Sequence, residues 1–123
     1  MLLLDTSFLI ELEAELSKRQ KASARRFLEA RATEPIGISI VSVGEFAEGF
    51  EDIRSVEAFL SPFRVLQLSR AIAYRMAKIQ GSLLRRLGEN DAWKAATALS
   101  YEASLVGRDK AFARVPRLKY ISL

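Results

Sequence analysis

Short apolar segments alternate with amphipathic segments along the whole chain. Three leucines precede Asp5, and later short runs are rich in leucine or β-branched residues, which predicts strands at 2–5, 36–41, 64–68, 104–107 and 119–123. The intervening segments carry apolar residues at helical spacing. They predict helices starting at Ser7 and over 21–32, 43–50, 55–60, 69–87 and 91–103. This alternation predicts a single α/β domain over residues 1–123, with a central, mainly parallel sheet of about five short strands and helices on both faces.

The segment 69–87 has the clearest helical periodicity in the chain. Its apolar positions follow one another at steps of three or four residues: Ile72, Met76, Ile79, Leu83 and Leu87. Gly88 is predicted to end this helix, because glycine is common just after a helix C-terminus. Asn90 is then predicted to be the N-cap of the next helix.

The composition excludes several kinds of chemistry. The 123 residues include no histidine and no cysteine, which rules out histidine-based acid–base catalysis, thiolate nucleophiles and zinc sites built from these residues. Any metal must be held by oxygen, which favours Mg²⁺ or Mn²⁺. No run approaches the length of a membrane span and no signal-peptide pattern is present, so we expect a cytoplasmic protein with no membrane contact. The net charge of +4 favours an anionic partner.

Four carboxylates occupy equivalent places relative to the predicted elements. Asp5 ends the first strand, Glu45 lies at the start of the helix after the second strand, Asp91 opens a helix, and Asp109 follows the fourth strand. In a parallel sheet these places share one edge, where α/β proteins bind ligands. Four clustered carboxylates repel one another unless a cation such as Mg²⁺ lies between them. The set therefore indicates a metal-dependent phosphodiester hydrolase.

Each acid has a structural interpretation when taken alone. Asp5 is a typical helix N-cap, Glu45 a typical solvated acid near a helix start, Asp91 a neighbour of the Asn90 cap and Asp109 a turn residue. Only their joint placement favours a shared site. An aspartyl phosphotransferase or phosphatase fits less well, because Ser7 occupies the place of the second aspartate in a D-x-D motif. No G-x-x-x-x-G-K-[ST] loop is present, which excludes a P-loop nucleotide site.

Four segments together resemble the PIN-domain ribonucleases, and specifically the VapC-like toxins of VapBC-type (type II) toxin–antitoxin pairs. They are LLLDTSFLIEL, SIVSVGEFAEG, LGENDAWKAATALSYEASLVGRD and AFARVPRLKYISL, in the family's order and spacing. The resemblance implies a catalytic and metal-binding set around one or two Mg²⁺ or Mn²⁺ ions: Asp5, Glu45, Asp91 and Asp109. It implies that Thr6 supports the first aspartate and that Asn90 shapes the turn of the third acid. It also implies endonucleolytic RNA cleavage, a homodimer and a VapB-like antitoxin partner.

The chain departs from this family pattern at two positions. Gly107 stands where a hydroxyl residue is common, and Lys94 stands where an apolar residue is common, which is consistent with a solvated lysine. Outside the four candidate acids, 11 acidic residues face 19 basic ones, so the rest of the surface carries about +8, which suits an RNA backbone. Arg108 and Lys110 flank Asp109 and are candidate RNA contacts. The alternative function is a catalytically inactive PIN-like module that binds RNA or protein.

Overall fold

The central layer of the protein is a five-stranded sheet. In the computed structural model, which describes residues 1–123, the strands are β1 (Leu2–Leu4), β2 (Ile36–Ser39), β3 (Arg64–Leu66), β4 (Ser104–Gly107) and β5 (Lys119–Ser122). Their order is β3-β2-β1-β4-β5, and every neighbouring pair is parallel. The predicted α/β class is therefore confirmed, and the sheet is wholly rather than mainly parallel.

Helices cover both faces of this sheet. They are α1 (Thr6–Ser17), α2 (Ser23–Ala30), α3 (Ile40–Ala47), α4 (Ile53–Leu60), α5 (Arg70–Ser82) and α6 (Glu89–Ser100), with a short 3-10 helix at Lys110–Arg114. Helices α1 to α4 pack on one face, and α5 and α6 pack on the other. None of these helices combines the length and the apolar character that crossing a membrane requires.

The leucine run of β1 is buried on both faces. Leu2 and Leu4 pack with α1 to α4, whereas Leu3 packs with α5 and α6, and none of the three is more than 1% exposed. A central parallel strand has no solvent face, which explains why its sequence is continuously apolar. Burial of each leucine contributes about 1.5–3 kcal/mol to folding. The strand is therefore a rigid support for the residue that follows it, Asp5.

Strand β2 is shorter than the β-branched run predicted. It ends at Ser39 rather than at residue 41, because the Ser39 hydroxyl accepts a hydrogen bond from the Val41 N–H at 3.1 Å and caps α3. Helix α3 consequently begins at Ile40 rather than Val43. This places Glu45 in the second turn of the helix and not at its start.

The predicted helix 69–87 was too long at its C-terminal end. Helix α5 ends at Ser82, and Leu83 is extended. The buried Gln80 side chain explains the change of direction, since it donates to the Leu87 carbonyl and accepts from the Leu87 N–H, both at 2.9 Å. Gly88 is the N-cap residue of α6 and not a helix end, and the next helix begins before its predicted cap, Asn90. The other predicted boundaries lie within three residues of the observed ones.

The strand order places β1 and β4 at the point where the chain changes direction across the sheet. From β1 the chain continues to β2 and β3 on one side, and it returns to β4 and β5 on the other. The Asp5 N–H donates to the Val106 carbonyl at 2.8 Å, which joins the carboxyl ends of these two strands. Such switch points form the ligand-binding crevices of open α/β sheets.

Candidate active site

Asp5 lies at the carboxyl end of β1 and is 4% exposed. It occupies the N-cap position of α1, yet its carboxylate makes no capping hydrogen bond. Instead, Oδ1 lies 2.7 Å from Lys94 Nζ, and Oδ2 accepts a hydrogen bond from the Ser7 hydroxyl at 3.1 Å. Helix capping therefore does not account for this buried carboxylate.

Glu45 reaches the same place from α3. Its Oε1 accepts from the Thr6 hydroxyl at 2.6 Å and from Lys94 Nζ at 2.8 Å, and its Oε2 accepts from Asn90 Nδ2 at 3.2 Å. Burial alone would raise the pKa of Glu45, but these donors outweigh it and hold the pKa below its usual range. The structure thus places Thr6 and Asn90, both predicted to support other acids, as hydrogen-bond donors to Glu45.

Lys94 is the cation at the centre of this cluster. Its Nζ lies 2.7 Å from Asp5, 2.8 Å from Glu45 and 3.2 Å from Asp91, and the residue is only 3% exposed. The expectation of a solvated lysine was wrong, because α6 packs against the sheet with this side chain directed inward. Burial alone would lower the pKa of the Lys94 ammonium, but the charges of Asp5 and Glu45 raise it well above its usual value. Lys94 is therefore charged at neutral pH.

Asp91 and Asp109 form the outer part of the site. Asp91 lies in the first turn of α6, and burial raises its pKa, with further increases from the charges of Asp5 and Asp109 and an opposing effect of Lys94. Asp109 is exposed after β4, and its Oδ1 caps the 3-10 helix by accepting from the Ala111 N–H at 2.8 Å. The structure thus brings three predicted acids around one ammonium, with the fourth at the margin.

The oxygen chemistry of this site suits a hard divalent ion, but its centre already contains a cation. No group of three or more acidic, histidine or cysteine side chains is arranged to bind a metal ion by itself. The Lys94 ammonium lies where the Asp5, Glu45 and Asp91 carboxylates converge. Asp91 contacts Lys94 through Oδ1, and Asp109 uses its own Oδ1 as a helix cap, so each keeps Oδ2 for another ligand. The donor set therefore fits a divalent ion on the outer side of the cluster.

Sequence analysis did not identify three residues of this site: Ser7, Lys94 and Tyr120. The Ser7 hydroxyl accepts from the Arg108 N–H at 3.2 Å while it donates to Asp5. The Tyr120 hydroxyl, on β5, is buried without a hydrogen-bond partner in the protein. Burial, and then the charges of Asp5 and the other acids, raise the pKa of Tyr120 to about 12. For Lys94 a signal was present, because the alanines around it indicate a closely packed helix.

The two candidate RNA contacts differ in their surroundings. The Arg108 guanidinium forms an ion pair with Glu11 and donates to the Leu123 carbonyl at 3.1 Å and to the Ser23 hydroxyl at 3.4 Å. Lys110 is exposed and takes part in no ion pair. The Arg108 side chain is therefore already bound within the protein, whereas Lys110 is accessible to a ligand. RNA contact by either residue stays a prediction.

Comparisons with known proteins agree with this architecture. The family model described as PIN domain matches residues 2–118. A toxin–antitoxin complex from Klebsiella pneumoniae includes a chain 27% identical to this one, with a TM-score of 0.79, 99% of this chain and 97% of that chain covered. VapBC2 from Rickettsia felis, bound to a DNA fragment from its promoter, includes a chain that is 22% identical to this one with a TM-score of 0.82. The alignment covers 99% of this chain and 98% of that chain.

A Mycobacterium tuberculosis protein described as a sarcin–ricin loop cleaving toxin, VapC20, shares the fold at lower similarity. It is 18% identical with a TM-score of 0.65, covering 92% of this chain and 93% of that chain. No curated protein sequence matches the chain. The family match covers strands β1 to β4 and all four candidate acids, and on this basis the chain belongs to the PIN domain family.

Proposed function

We propose that this protein is a metal-dependent endoribonuclease and the toxin of a VapBC-type toxin–antitoxin pair. The observation that carries the proposal is the convergence of Asp5, Glu45 and Asp91, from three separate elements, at the carboxyl edge of the sheet. Asp109 adds a fourth carboxylate at the margin. A purely structural role does not require three acids from β1, α3 and α6 to meet at the switch point.

The acidic cluster would hold Mg²⁺ or Mn²⁺. Such an ion, when bound, supplies charge stabilisation at a phosphodiester and lowers the pKa of water. Within the protein, Thr6 and Asn90 fix the Glu45 carboxylate by hydrogen bonds to its two oxygens. Ser7 orients Asp5 in the same way. The protein thus holds the acids in place before any ligand arrives, which lowers the cost of reorganisation during catalysis.

The experiment that tests this function is an RNA cleavage assay with paired variants. Purified wild type, Asp5→Asn and Asp91→Asn would be incubated with total RNA, with and without Mg²⁺ or Mn²⁺. Glu57→Gln is a matched control, since Glu57 is an exposed acid on α4 outside the site. We expect discrete fragments that require metal, persist in Glu57→Gln and disappear in both site variants. Equal cleavage by folded Asp5→Asn and wild type would contradict the proposal.

A catalytically inactive binding module is the second candidate. The specific observation in its favour is Lys94, since an internal ammonium neutralises part of the acidic cluster without any metal. The same assay separates the two candidates. Absence of cleavage by folded, antitoxin-free wild type across a broad RNA pool, together with RNA binding in a filter or mobility-shift measurement, would favour the binding module.

We also propose a VapB-like antitoxin partner, a homodimer and a cytoplasmic location. Three of the similar solved structures are described as toxin–antitoxin or VapBC complexes, which supports a partner of this class. Co-expression with the product of a small adjacent reading frame tests the pairing, and the antitoxin should copurify and suppress cleavage. Light scattering on the isolated chain measures its oligomeric state, and a mass of one chain would contradict the dimer.

A further inference from the structure

Lys94 places its ammonium between three of the site's acids. Its Nζ lies within 3.2 Å of one oxygen from each of Asp5, Glu45 and Asp91. Lys94 is 3% exposed, and its ammonium also faces the Phe112 ring, 5.9 Å from the ring centroid. Acids and an aromatic ring enclose this ammonium, so it belongs to the permanent structure of the site.

We propose that Lys94 is a resident cation that replaces a metal ion among Asp5, Glu45 and Asp91, so that the site binds a single divalent ion, held mainly by Asp91 and Asp109. Asp5 and Glu45 are then positioning residues that hold the ammonium. This inference deepens the proposed function and rests on it for the identity of the ligand, a divalent cation.

The charges support one ion rather than two. Lys94 and the three carboxylates that it contacts together carry −2, and Asp109 brings the cluster to −3. The Oδ2 atoms of Asp91 and Asp109 would hold an ion at the outer side, because their Oδ1 atoms are already engaged by Lys94 and the Ala111 N–H. A second ion among the inner acids would have to displace the ammonium from three short contacts. The ammonium also repels a nearby divalent ion, which weakens its binding.

The ion pairs and hydrogen bonds of Asp5 and Glu45 point the same way. Asp5 has Oδ1 on Lys94 and Oδ2 on Ser7, and Glu45 has Oε1 on Lys94 and Thr6 and Oε2 on Asn90. Every carboxylate oxygen of Asp5 and Glu45 therefore has a protein partner already. The free ligand positions of the site lie on Asp91 and Asp109, at its outer side.

The test is a Mn²⁺ titration by isothermal calorimetry of metal-stripped protein, combined with thermal melting in EDTA and in Mn²⁺. Wild type, Lys94→Met and Lys78→Met would be compared, because Lys78 is an exposed lysine on α5. We expect wild type and Lys78→Met to bind one ion with the same affinity.

Lys94→Met should bind Mn²⁺ about tenfold tighter or more, because a repelling charge is gone, and its melting temperature should rise with Mn²⁺ more than that of wild type. Binding of two ions by wild type, or equal affinity of Lys94→Met and wild type, would overturn the inference.

A second pair of variants decides the question if Lys94→Met does not fold. Asp91→Asn should weaken Mn²⁺ binding about tenfold or more, whereas Asp5→Asn should weaken it only about threefold or less, since Asp5 holds Lys94 rather than the ion. Equal losses in the two variants would place the ion among the inner acids and refute the role of Lys94. These measurements use no RNA, so a failure to cleave would count against the proposed function alone.

Discussion

The space between the ends of β1 and β4 admits no side chain at Gly107, and we expect the Gly107→Ala variant to be destabilised. A Cβ added there would lie 2.9 Å from Asp5 Cβ, 3.1 Å from Asp5 Oδ2 and 3.3 Å from Ser7 Oγ. The backbone itself accepts alanine, because no glycine in the chain has a positive φ. The whole effect therefore comes from crowding against Asp5.

The size of this effect follows from how firmly Asp5 is held. Its N–H is bonded to Val106 and its carboxylate to Lys94, so it cannot move freely, and the strand ends must separate by roughly 0.5–1 Å to reach ordinary carbon contact distances. Overpacking of this kind costs about 1–3 kcal/mol. Gly81 is the matched control, since it lies in the last turn of α5 and a Cβ there meets nothing within 4 Å. Gly81→Ala should stabilise the protein by about 0.4–1 kcal/mol, because alanine restricts the unfolded chain more than glycine does.

Urea unfolding followed by circular dichroism measures both variants, since the midpoint reports stability when the slope is unchanged. RNA cleavage should fall in Gly107→Ala, because Asp5 is displaced from Lys94, and should stay at the wild-type rate in Gly81→Ala. The reasoning is refuted if both glycine variants gain stability to the same extent. In that case the strand ends have room, and the glycine is not required by the position of Asp5.

Three further predictions concern buried polar groups away from the reacting centre. Glu15→Gln should lose about 1–3 kcal/mol in urea unfolding, because the buried carboxylate accepts three backbone N–H bonds at 3.0 Å at the start of α2, whereas Glu13→Gln should change little. Burial alone would raise the pKa of Glu15, but these bonds lower it below 4.5. The contribution of the Glu15 carboxylate to folding stability is therefore complete above about pH 4.5 and is lost as pH falls through the folded-state pKa. The difference in unfolding free energy between wild type and Glu15→Gln should thus disappear in acid, and a difference independent of pH would contradict this assignment. Gln80→Leu should lose about 2–4 kcal/mol by the same measurement, because the Leu87 N–H and carbonyl lose their buried partner, and an unchanged midpoint would show that water replaces the amide.

Local patterns in the sequence were sufficient to predict the layers of the fold. The apolar runs and helical spacings depend on neighbours in the chain, and the five strands are all found. Patterns failed where a side chain interacts with distant backbone. The Gln80 amide bonds to the Leu87 backbone, so residues 83–87 leave the helical path and α5 ends earlier than predicted. The Ser39 hydroxyl caps α3, so this helix starts earlier than predicted. Hydrophobic periodicity carries no information about either bond.

The sequence by itself determined that four acids fall near the carboxyl edge of a parallel sheet, and that neither histidine nor cysteine takes part. Only the tertiary structure decided which groups neutralise those acids. Lys94 lies 89 residues from Asp5 and 49 from Glu45 in the chain, yet its ammonium contacts both carboxylates. The physical reason is packing: α6 lies against the sheet through alanines, so a long side chain in the buried part of that helix has no path to water and is stable only where acids from other elements surround it.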